Sequence, residues 1–150
     1  MMNETDKQNA HKTMVFIWAS LVVSQLMFVA MAYFIVEGLF PPNLSKPLLD
    51  ENAMMIGLAV IAALLALGLS FYKRAAILRK SIEDQSVALV QQAVITSLAL
   101  AESVSLVGLF LAFTFHYQYF IIWMIVGIAA ALLHFPQRRD IDNATFKTTP

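Results

Sequence analysis

The chain has 150 residues, 59% of them hydrophobic and 13% charged, with a formal net charge of zero and no cysteine. A soluble domain of this size carries about 25% charged residues, so the composition argues against a water-facing globule. The missing cysteines exclude disulfides, thiolate metal sites and thiol catalysis, and no basic run points to nucleic acid.

Met1 to Thr13 is a polar lead that holds Lys7 and Lys12 among acids. The apolar block behind it, Met14–Val36, is longer than the roughly 7–15 residues of a signal h-region, so a retained first helix is expected. Pro41, Pro42 and Pro47 make the next link non-helical. A second apolar block covers about Met54–Tyr72, and a charged loop, "YKRAAILRKSIEDQS", follows it. The third block covers Val87–Phe115 and the fourth about Tyr119–Phe135, with a short link around His116–Gln118 and Pro136 as terminator. A hydrocarbon core of about 30 Å takes roughly 20 helical residues, and in lipid only helices or closed barrels satisfy their own backbone. These blocks lack the alternation of barrel strands. The expected fold is an all-α membrane protein, a single domain of four transmembrane helices arranged as two antiparallel hairpins with short polar tails.

Lysine and arginine set the expected orientation. The middle loop holds Lys73, Arg74, Arg79 and Lys80, the C-terminal tail Arg138 and Arg139, and the two opposite links only Lys46. Both termini and the middle loop are therefore expected in the cytoplasm, in a bacterial inner membrane. Trp18, Tyr33, Tyr72, Tyr117 and Tyr119 fall near span ends, where amphipathic rings anchor.

One residue interrupts the third block. Glu102 stands in the middle of "ITSLALAESVSLVGLFLAF". A carboxylate at mid-bilayer costs a few kcal/mol or more, and burial favours its neutral form. Such residues mark ion paths, proton relays or interhelical hydrogen bonds. Around it Ser97, Ala101, Ser105, Gly108 and Ala112 recur at spacings of four and three, a small-residue stripe that lets another helix approach closely. Ser103 follows the acid directly. The second block offers a similar stripe through Ala59, Ala62, Ala66 and Ser70. Laying "SLVVSQLMFVAMAYF" beside "SLALAESVSLVGLFLAF" sets Gln25 opposite Glu102 and Ser24 opposite Ala101.

Ala99, Leu100, Ala101, Glu102, Gly108 and Leu109 give a pattern that resembles the acid-bearing helix of the proteolipid, or c, subunit of rotary ATP synthases. With the preceding helix and charged loop, the resemblance to a divergent relative of that family covers about residues 54–115. It implies an oligomeric ring in which Glu102 exchanges H⁺ or Na⁺. It further implies that Ser103, with Ser105 and Gln25, assists ion binding, as serine and glutamine do in sodium-binding members.

Beside that reading stands a second: a non-catalytic scaffold or accessory subunit of a larger membrane complex, in which Glu102 is a structural acid bonded to Gln25 or a serine. A small secondary transporter is a third, disfavoured because no span contains proline and such sites use broken helices. No nucleophile triad or phosphate loop appears, so no enzymatic activity and no organic cofactor are expected. A metal site is not expected either, because His116 and His134 sit at opposite membrane faces, where a lone histidine is ordinarily solvated. The expected partners are the bilayer, further copies of the chain and other membrane subunits.

Overall fold

The computed structural model describes residues 3–36, 45–49 and 52–146, and its regular elements are all helices. They are α1 (Glu4–Ile35), α2 (Ala53–Glu83), α3 (Val87–Phe115), α4 (Phe120–Leu133) and α5 (Arg138–Asn143). Three of them, α1, α2 and α3, are long and apolar enough to cross a membrane. Pro41 and Pro42 lie outside the described residues.

The boundaries follow local chemistry. α1 starts ten residues before its apolar block, because Asn3 caps it by accepting from the Asp6 N–H at 2.7 Å, with Glu4 and Asp6 in the first turn. A capping side chain and acids at a helix N-terminus both favour that start. α2 likewise runs on past Tyr72 to Glu83, so most of the stretch expected as a charged loop is helix. Its Ala, Leu, Arg and Lys are strong helix formers, and neither Gly nor Pro interrupts them. The chain reverses only at Asp84–Ser86, where Gln85 takes a φ of 49°. The α3–α4 link is as tight, and His116 there takes a φ of 48°.

α4 is shorter than expected. Its 14 residues span about 21 Å at 1.5 Å per residue, below the roughly 30 Å of hydrocarbon.

α3 is the central element. Its buried residues include Val90, Val94, Leu98, Ala101, Val104, Gly108, Leu111 and Ala112, and α1, α2 and α4 all pack on it. α1 rests on α3 and α4, whereas α2 rests chiefly on α3. The first expected hairpin is therefore not a closely packed pair. α1 and α3 run parallel: Met14 shares a core with Val90 and Val94 at one end, and Ala32 shares one with Ala112 at the other. The N-terminus of α1, the C-terminal part of α2 and α5 meet at one end of the bundle, where Arg138 bonds Glu4 at 2.6 Å and Arg74 pairs with Asp140 at 3.5 Å.

Candidate functional site

The small residues of α3 are where the helices close. Ser97, Ala101, Ser105, Gly108 and Ala112 are all buried. A methyl group added at Gly108 would stand 2.9 Å from the Phe120 carbonyl oxygen. One added at Gly127 of α4 would strike the Ser105 hydroxyl and stand 2.9 Å from both the Ala101 carbonyl oxygen and the Ser105 nitrogen. The backbones of α3 and α4 touch here because neither side carries bulk, as small-residue stripes allow.

The expected stripe on α2 is displaced by one residue. Within its apolar run the buried positions are Ile56, Ala63 and Ser70, seven residues apart, with Ala59 and Ala66 half-buried. Ala62 is exposed, and Ala63 takes the inward place. Spacings of four and three fit both positions; the choice depends on how α2 rolls against α3, which composition does not specify.

Two polar pairs lie side by side at mid-bundle. Ser24 Oγ of α1 donates to Glu102 Oε1 at 2.6 Å and also stands 2.9 Å from the Leu21 carbonyl oxygen. One turn along α3, Ser105 Oγ donates to Gln25 Oε1 at 2.9 Å and faces the Met124 carbonyl oxygen at 3.5 Å. Glu102 therefore meets Ser24, one residue from the side-by-side alignment, while Gln25 meets Ser105, one helical turn beyond the position opposite it. Ser103 stays out of the cluster, because its hydroxyl donates to the Leu100 carbonyl of its own helix at 2.7 Å.

Burial divides this cluster. Glu102 and Ser24 are half-buried, while Gln25 and Ser105 are fully buried. Gln25 Nε2 is a buried donor without an acceptor among the described residues. If the amide is turned over, Nε2 donates to Ser105 Oγ, which then donates to Met124. One amide atom of Gln25 is left over in either orientation, and such a group costs about 1–3 kcal/mol.

A second polar cluster, which sequence reasoning missed, closes the end of α4. Arg74 of α2 donates to the carbonyl oxygens of His134 and Phe135 and pairs with Asp140; both charged side chains are 13% exposed. These carbonyls follow the last turn of α4, where unpaired acceptors and the helix dipole favour a cation. His134 is not solvated as expected. It is 1% exposed, its Nε2 lies 3.0 Å from Ser70 Oγ, and its ring stacks obliquely on Phe71 with centroids 4.5 Å apart. From α1, Trp18 Nε1 donates to the Ala131 carbonyl at 2.8 Å, so this ring serves the interior rather than the membrane surface. His11 Nε2 lies 3.2 Å from the Pro136 carbonyl oxygen, and Lys7 pairs with Asp142 at 3.4 Å. His116, by contrast, is exposed at the far end. Among the described residues no group of three or more His, Asp or Glu side chains could hold a metal ion.

Comparison with family models, with curated proteins and with solved structures finds no match to this chain. The class it falls into therefore rests on the chain itself: an all-helical protein with three helices able to cross a membrane. A half-buried acid lies between two of them, and a half-buried charge pair lies at one end.

Proposed function

We propose that this chain is a non-catalytic integral membrane protein that serves as a helical subunit of a larger membrane assembly, with Glu102 as an interhelical hydrogen-bonding acid. The observation that carries this reading is the 2.6 Å bond from Ser24 to Glu102. The acid is engaged by the chain's own first helix, and the small stripe beside it is filled by the chain's own fourth. Assembly with other membrane chains has its support in the outer faces of α1 and α2, which turn Phe16, Met27, Phe34, Met54, Leu58 and Leu65 outwards. These are surfaces for hydrocarbon or neighbouring helices.

Four membrane crossings are part of this reading. α4 begins where Tyr119 Oη donates to the Lys46 carbonyl at 2.7 Å and ends beside Arg74, so its 14 helical residues reach from the far end of the bundle to the depth of Arg74. The end that gathers Lys7, Lys73, Arg74, Arg138 and Arg139 is then the cytoplasmic one by the positive-inside rule, with both termini inside, in a bacterial inner membrane.

The half-burial of Glu102 favours a second reading, in which it exchanges H⁺ or Na⁺ as in a ring-forming proteolipid-like subunit. The self-packed stripe Ser97–Ala112 speaks against the ring, because the close-approach surface is already used within one chain.

Labelling the purified protein with a hydrophobic carbodiimide, across pH and with or without sodium, separates the two. The structural reading expects no modification of Glu102 at any pH. Selective modification, absent in Glu102→Gln and suppressed by sodium, would establish an exchanging acid and overturn that reading.

A further inference from the structure

The outer surface between α2 and α3 holds a groove of about 500 Å³. Thr96, Ala99 and Ser103 of α3 line it on one side, Leu69 of α2 on the other, and Ile95 and Lys73 sit towards the charged end of the bundle. Two helices in contact leave such a furrow wherever the outward residues are small, and here α3 contributes an alanine and two hydroxyl residues. The hydroxyl of Ser103, at the deep end of the groove, is already bonded to Leu100, while Thr96 offers its hydroxyl nearer the charged end.

The mouth of the groove has a different chemistry. Lys73 is the first charged residue after the apolar run of α2, directly behind Tyr72. About nineteen helical residues from Met54 to Tyr72 cover roughly 28 Å, the thickness of a hydrocarbon core, which sets Lys73 at headgroup depth. Two of its basic neighbours on α2 are engaged, and the third, Lys80, also without a carboxylate partner among the described residues, lies two turns further along, outside the groove. Arg74 is paired with Asp140 and turned onto α4, and Arg79 is paired with Glu83 at 3.4 Å. Lys73 is exposed and has no carboxylate partner among the described residues. A lone ammonium above a narrow apolar furrow matches a phosphate above an acyl chain in charge, in order and in depth.

We propose that this groove is a binding site for one anionic phospholipid, with its headgroup phosphate on Lys73 and one acyl chain lying between Leu69 and Ala99 towards Ser103. The site is independent of the role given to Glu102, which faces α1 through Ser24. A cation at headgroup depth attracts anionic lipid, and the groove adds a shape that a flat helix face lacks. Retention is therefore selective for charge at one end and for free space at the other.

The test is native mass spectrometry of the full chain released from micelles carrying equal amounts of phosphatidylglycerol and phosphatidylcholine. The wild type retains one phosphatidylglycerol in preference. Lys73→Gln lowers that preference about fivefold, Lys73→Arg keeps it, and Lys80→Gln, outside the groove, leaves it unchanged. Ala99→Phe fills the furrow and lowers retention of both lipids. Because Lys73 is exposed, Lys73→Gln remains informative even if Ala99→Phe fails to fold. Equal retention of phosphatidylglycerol by wild type and Lys73→Gln overturns the proposal. So does disulfide cross-linking of Thr96→Cys to a second chain in native membranes, a clean measurement in a protein without cysteine, because it would place a helix in the groove.

Discussion

The middle of the bundle and its charged end solve the same problem with different means. At the middle, Ser24, Gln25, Glu102 and Ser105 make single bonds between helices whose backbones small residues already hold close. At the end, Arg74 gathers two carbonyls and a carboxylate, while Ser70, His134, Trp18 and His11 tie three more points of the same short segment. Where shape complementarity is available, polar groups add little. Where α4 stops short, its unpaired carbonyls need donors, and these come from α1 and α2.

Breaking the end should therefore have the larger effect. Arg74→Ala leaves Asp140 and two carbonyls without their donor, and losing these charge-assisted bonds at a part-buried site should cost about 1.5–3 kcal/mol. Unfolding followed by circular dichroism in micelles should show that loss, with Arg74→Lys recovering only part of it because a lysine cannot reproduce the forked geometry. At the middle, Ser24→Ala should lower stability by only about 0.6–2 kcal/mol, the range for single polar contacts between membrane helices. Gln25→Leu sharpens the contrast, because it removes the leftover amide atom together with the bond to Ser105. The same titration should register a change under about 1 kcal/mol, in either direction. The turns carry an effect of the same small size but of fixed sign. His116→Gly relieves a side chain held at a φ of 48° and should raise the melting midpoint slightly, by the equivalent of about 0.5–1 kcal/mol.

The parts of this molecule that could be read from its residues are those set by local pattern. The bounds of α3 at Val87 and Phe115 coincide with those of its apolar block, because Asp84 and Ser86 precede it and the polar His116 and Gln118 interrupt the apolar run behind it. α1 and α2 overran theirs, since a cap at Asn3 and a run of helix formers after Tyr72 extend helices without any apolar signal. The partner of Glu102 was legible only as Gln25 or a serine, and the choice of Ser24 was not, because two apolar sequences slide past each other with little change in composition. The role of His134 was beyond local reading altogether. Ser70 lies 64 positions away and Arg74 60, and nothing near His134 announces that a histidine at a helix end will be buried. The helical signal that could have flagged the cluster is the placement of Arg74, a cation just past an apolar run and turned towards the α4 face.

Gly127 carries a consequence for how freely this sequence can vary. Every alternative residue adds at least a β-carbon, and that carbon would meet the Ala101 carbonyl at 2.9 Å and collide with Ser105. A library randomised there should return glycine almost alone among folded clones, whereas Gly57 and Gly68, with open space around them, should accept many side chains. Three glycines that look alike in an apolar sequence are thus separated by tolerance, and the intolerant one marks where two helices share a single line of contact.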